Sequence, residues 1–122
     1  MIFRGDRLDS YRSFEMERRI QRNLKRKHNN RKVYFIRYGN SNYYKIGFST
    51  DIQRRLKDIQ RCSPIEMTIF ASTKANSKFE RYLHKQYSKY NIRGEWFELK
   101  PDILNKAINF RYHKQKFRNW NK

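Results

Sequence analysis

VYFIRYGNSNYYKIGF, residues 33–48, decides the architecture. Two aromatic and β-branched runs, Val33–Tyr38 and Tyr43–Phe48, flank Gly39-Asn40-Ser41-Asn42, and this pattern predicts a β-hairpin. A loop of even length pairs Tyr38 with Tyr43, Ile36 with Lys45 and Tyr34 with Gly47. Side chains alternate along a strand, so one face carries Val33, Phe35, Arg37, Tyr44, Ile46 and Phe48 and reads as the core side. The other face carries Tyr34, Ile36, Tyr38, Tyr43 and Lys45. Gly47 leaves space beside the Tyr34 hydroxyl, and Lys45 lies diagonally across, within reach of a long side chain. This second face has two readings on pattern alone. One is a plain sheet surface, where Tyr is favoured and Lys blunts exposure. The other is a polar pocket of phenols and an ammonium group.

Outward from the hairpin, Thr50 or Asp51 caps a helix predicted to run to about Cys62, where Ser63-Pro64 ends it. Ile52, Leu56 and Ile59 form its apolar stripe. At 100° per residue Arg55 falls on the flank of that stripe, while Arg54 points to the opposite side. Arg55 can lie along the core edge or aim its planar fork at a phosphate beside the sheet. Met67–Ser72 reads as a strand, Ala75–Tyr90 as an amphipathic helix closed by Asn91–Gly94, and Glu95–Leu99 as a short aromatic strand. In the second helix Glu80 and His84, four apart, share one flank. They are either an exposed helical pair or a metal carboxylate with a polar neighbour. A single Glu suits Mg²⁺, which keeps most of its waters and borrows phosphate oxygens. Residues 101–118 read as one further helix with Pro101 in its first turn, its end made basic by His113, Lys114, Lys116 and Arg118. Upstream, residues 8–29 read as a helix dominated by Arg18, Arg19, Arg22, Lys25, Arg26 and Lys27, an arm suited to a phosphate backbone.

The charge points the same way. The chain of 122 residues carries 30 Lys and Arg against 11 acids, a formal +19. Residues 1–32 hold 11 basic residues against 4 acids, residues 33–100 hold 13 against 6, and residues 101–122 hold 6 against 1, so every segment seeks a polyanion. Aromatic residues make up 16% of the chain, enough for one small core built largely from rings and too many for a disordered tail. No run approaches the roughly 20 apolar residues of a membrane span, and Met1–Ser10 lacks the apolar stretch of a secretory signal. The single cysteine, Cys62, excludes an internal disulfide framework and a cysteine-rich zinc site.

The order Val33-Tyr34-Phe35-Ile36, Tyr44-Lys45-Ile46-Gly47, Arg55-Leu56, Phe79-Glu80 with His84, and Gly94-Glu95-Trp96-Phe97 resembles the GIY-YIG nuclease family. The resemblance covers about residues 33–99 and is strongest to the branch whose second motif reads KIG, common in small phage and viral proteins. It implies a sheet flanked by helices and a site on one sheet face. It also implies hydrolysis of phosphodiesters with one divalent metal, Mg²⁺ or Mn²⁺. By position, Tyr34 matches the tyrosine that orients or deprotonates the attacking water, Arg55 the catalytic arginine, and Glu80 the metal-binding glutamate. The chain departs from the pattern at three places: Lys45 replaces the second tyrosine, Ile59 stands where many members have a histidine, and Lys32 replaces the first-motif glycine. Lys45 serves either as a proton acceptor, if desolvation lowers its pKa, or as a phosphate anchor. His84 can partly replace the missing base.

The expected fold is of the α/β (α+β) class. It has a small antiparallel three-stranded sheet flanked by helices, with a basic N-terminal helix over 1–32, a GIY-YIG-like domain over 33–99 and a basic C-terminal helix over 100–122. The expected function is a metal-dependent endonuclease acting on DNA ahead of RNA, with catalytic residues Tyr34, Lys45, Arg55 and His84, and Glu80 as metal ligand. Arg18, Arg19, Arg22, Lys25, Arg26, Lys27, Lys114, Lys116 and Arg118 are the expected nucleic-acid contacts. The alternative is a DNA- or RNA-binding module on the same fold that cleaves weakly or not at all; a basic effector of an acidic protein ranks third. Lys, Asn, Ile and Tyr richness fits an AT-rich phage or large viral genome, and no membrane partner is expected of an intracellular protein. Tyr34, Lys45, Arg55 and Glu80 are expected to converge on one solvent-accessible patch.

Overall fold

The alternation in residues 33–48 folds as it reads. In the computed structural model, which describes residues 30–120, β1 (Lys32–Tyr38) and β2 (Tyr43–Ser49) pair antiparallel, with Tyr34 opposite Gly47 and Ile36 opposite Lys45. Gly39 makes the turn possible, since its φ of 57° lies in the left-handed region that side chains avoid. The basic segment containing Arg18, Arg19, Arg22, Lys25, Arg26 and Lys27 lies outside the described residues.

The sheet has five strands rather than the expected three. β3 (Met67–Lys74) pairs with β1, β5 (Trp96–Glu98) pairs with β2, and β4 (Asn91–Arg93) pairs with β5, giving the all-antiparallel order β3-β1-β2-β5-β4. β5 falls within the aromatic strand read at Glu95–Leu99, and the strand not read is β4, whose three residues are too few to show an alternation. Asn91–Gly94 is therefore not the end of a helix but one arm and the turn of a second hairpin. Asn91 steadies that turn by donating its side-chain N–H to the Gly94 carbonyl at 2.8 Å.

Four helices cover the sheet. α1 (Ile52–Gln60) starts where the Asp51 carboxylate accepts the Arg54 N–H. It ends two residues before Cys62, where the Gln60 amide ties it to β3 by accepting the Met67 N–H at 2.7 Å. α2 (Ser77–Gln86) is capped by Asn76 and passes through a single 3₁₀ turn, Ser88–Tyr90, into β4. The single helix expected over 101–118 is two: α3 (Pro101–Ala107) and α4 (Phe110–Trp120). Asn109 sits at the break and accepts the Tyr112 N–H, because its short amide competes with the helical backbone and favours a cap.

Both faces of the sheet are covered. Val33, Phe35, Tyr44, Ile46 and Phe97 pack with Phe79, Tyr82 and Leu83 of α2 and with Leu104 and Ala107 of α3. The opposite face, Tyr34 and Ile36 with Met67, is covered by Ile52, Leu56 and Ile59 of α1. The plain-surface reading of that second face is thereby replaced. Phe110 and Phe117 of α4 pack against the larger core, so residues 101–120 build part of the same body rather than a detached tail.

Candidate active site

The site forms where β2 outruns β5. Strand β5 pairs only with Tyr43, Tyr44 and Lys45, so the far half of β2 has an open edge, and α2 fills it. His84 of α2 meets that edge with Nε2 2.8 Å from the Ile46 carbonyl oxygen. A carbonyl only accepts, so Nε2 is the donor, and in the neutral ring Nδ1 holds the lone pair. The ring stands edge-on to Phe97 at 5.0 Å, which fixes its orientation. Glu80, one turn earlier on the same flank, is half-buried beside His84, Lys45 and Glu95. Burial raises its pKa above the usual carboxylate value, and the Glu95 charge adds to the rise against the pull of His84, Lys45 and Arg81.

On the other side of the sheet the Tyr34 ring lies across Gly47, so close that a Cβ at residue 47 would collide with the phenol. Tyr34 is only 1% exposed. The expectation of a solvent-accessible tyrosine is corrected here: α1 closes over the ring, which the hairpin pattern alone does not reveal. Burial pushes its hydroxyl up to about 12, with the Arg55 charge lowering it and Glu95 and Glu80 raising it. The arginine that reaches this hydroxyl is Arg55, as its helical angle required, and not its neighbour Arg54. Arg55, Glu80 and Glu95 thus act on the Tyr34 hydroxyl, while Lys45 and His84 act on Glu80.

Glu95 is the residue that sequence reasoning missed. Lys45 Nζ donates to Glu95 Oε2 at 2.5 Å, and the Glu95 backbone carbonyl accepts the Ile46 N–H at 3.0 Å. Its signal was positional: it precedes Trp96, the residue that pairs with Lys45 across the strands. Among the described residues no group of three or more His, Cys, Asp and Glu side chains is arranged to hold a metal ion. That donor set does not fit zinc, which takes three or four protein ligands. Glu80 with the Glu95 carboxylate beside it does fit Mg²⁺ or Mn²⁺, which bind through one or two carboxylates and keep several waters.

Of the expected nucleic-acid contacts within the described residues, Lys116 and Arg118 are exposed on α4 and Lys114 is half-buried. His113, read as part of this basic end, is instead 4% exposed. It bonds the Tyr82 and Tyr87 hydroxyls at 3.0 and 2.7 Å, and burial lowers its pKa. No helix among the described residues is long and apolar enough to cross a membrane.

Residues 31–111 match the model of the T5orf172 domain. The chain belongs to the T5orf172 domain family. This domain occurs in phage and viral nuclease-like proteins. A viral relative, "Uncharacterized protein 460R" of Invertebrate iridescent virus 6, is 38% identical over 71 residues. The match covers 54% of this chain and 32% of the relative, so the T5orf172 chain spans about a third of that protein. No solved structure matches the chain.

Proposed function

We propose that the chain is a metal-dependent endonuclease of the GIY-YIG type that hydrolyses phosphodiester bonds in DNA. The observation that carries this reading is that Arg55, Glu80 and Glu95 act on the Tyr34 hydroxyl while Lys45 and His84 act on Glu80. Glu80, with Glu95 beside it, would hold Mg²⁺ or Mn²⁺, and a metal there supplies positive charge to the scissile phosphate. Arg55 offers a planar fork to the phosphate oxygens as charge builds in the transition state. Lys45, steered by Glu95, is a phosphate anchor and stands as a donor rather than as a proton acceptor. His84 Nδ1, left with the lone pair while Nε2 donates to the Ile46 carbonyl, would take the proton of an attacking water. Tyr34, its hydroxyl pushed up to about 12, stays a neutral phenol beneath α1 and positions Arg55 through their hydrogen bond.

A second reading rests on the closed Tyr34 and the ion-paired Lys45: a nucleic-acid-binding module that cleaves weakly. Plasmid nicking with Mg²⁺, Mn²⁺ or chelator separates the two. Glu80→Ala should abolish cleavage and leave DNA binding intact, because a charge that repels phosphate is removed. Arg55→Ala should slow cleavage by about 10²–10³-fold, the usual loss for one transition-state donor. Cleavage indifferent to Glu80→Ala would show a contaminant. Tight binding with no cleavage under any metal leaves the binding module standing.

A further inference from the structure

On the sheet face opposite α1, a cavity of about 490 Å³ opens between α2, α3 and α4. Its chemistry is unlike that of the active site. Lys106 and Lys116 line it with no carboxylate among the lining residues, and the amides of Gln86 and Asn109 face into it. Tyr112 forms one wall, 50% exposed, with Lys116 Nζ 5.5 Å from its ring centre. The floor is His113, whose Nδ1 meets the Tyr82 hydroxyl and whose Nε2 meets the Tyr87 hydroxyl and, at 3.0 Å, the Lys106 carbonyl oxygen. Both ring nitrogens are engaged, so the floor is rigid; Asn109 Oδ1 is taken by the Tyr112 N–H, which leaves the cavity the Asn109 side-chain N–H, the Gln86 amide and the two ammonium groups.

A ring wall, two amides and two cations in a space of this size match a flat heterocycle carrying a phosphate. We propose that this cavity binds one nucleotide unit, its base against Tyr112 and edge-on to Gln86 and Asn109, its phosphate between Lys106 and Lys116. Rings stack on bases of any sequence, carboxamides match the donor–acceptor edges of bases, and ammonium groups match phosphate. The basic segment 1–32, with 11 Lys and Arg against 4 acids, is no electrostatic complement to two lysines, so a segment of this chain is the poorer occupant. The proposal rests on nucleic acid as the partner, and its ligand is either a free nucleotide or a base splayed from a bound strand.

The test is NMR titration of the ¹⁵N-labelled full chain with dTMP, thymidine and ribose 5-phosphate. dTMP should shift the Gln86 and Asn109 side-chain amide signals and bind about tenfold tighter than either fragment, since it alone makes both sets of contacts. Tyr112→Ala and Lys116→Gln, both at exposed positions, should each weaken dTMP about three- to tenfold. An oligo(dT) octamer that displaces dTMP, where an abasic octamer does not, identifies the splayed base. Failure of both to displace it identifies a free nucleotide. dTMP that binds no tighter than ribose 5-phosphate, or is indifferent to both variants, overturns the proposal. Glu80→Ala leaves this binding unchanged, so loss of cleavage and loss of the cavity ligand are read separately. Polynucleotide binding without shifts at Gln86 and Asn109 overturns the cavity alone, and dTMP binding without any polynucleotide binding overturns the nuclease reading alone.

Discussion

Gly47 shows how little one residue needs to be in order to shape a site. Its missing side chain is the space the Tyr34 ring occupies. Gly47→Ala should cost about 1–3 kcal/mol in urea unfolding, the usual penalty for overpacking, and Tyr34→Phe should leave the fold intact. Glu80 gives a prediction whose sign follows from its raised pKa. The folded state holds that proton more tightly than the unfolded chain, so its contribution is full below the ordinary value of 4.5 and is lost as pH rises through the higher folded value. At pH 7 Glu80→Gln should therefore unfold at a higher temperature than the wild type, and the gap should close below about pH 4. Tyr34, Lys45 and Arg55 were legible because each sits on a periodic element, where alternation or helical angle fixes direction. Glu95 lies at a hairpin turn with no period, and His113 hides in a run of basic neighbours, so neither could be read as a site or core residue.

Elements were legible in proportion to their length. The seven-residue strands β1 and β2 and the nine-residue α1 announced themselves through pattern. The three-residue β4 exists because β5, itself paired with β2, offers it an edge, a tertiary cause that no local window contains. The division between α3 and α4 was written in one residue, Asn109, and overridden in the reading by the apolar periodicity on both sides of it. Asn109→Ala should cost about 1 kcal/mol in denaturant unfolding through loss of the cap. Circular dichroism should show nearly unchanged helix content, since each half is held by its own packing against the core.

The whole molecule is a cation with a formal charge of +19, far more than one active site uses. If about six phosphates are neutralised on binding duplex DNA, the log–log salt slope should be roughly −5, and fluorescence anisotropy across a salt series measures it. Indifference to salt would point to a protein partner instead. The two faces of the sheet are held unequally. The larger core has fully buried rings from α2, whereas α1 buries none of its own residues and rests on the partly covered Ile52, Leu56 and Ile59. Local opening free energy follows buried contact, so α1 is expected to open more readily than the sheet strands it covers. In deuterium exchange its amides should turn over well before those of Val33–Ile36, at a rate set by a sub-global event rather than by complete unfolding. Because α1 carries Arg55 and roofs Tyr34, each such excursion hydrates the phenol and withdraws the guanidinium together. The fold thereby couples two losses, the dry surroundings of the phenol and the reach of the guanidinium, to the opening of one helix.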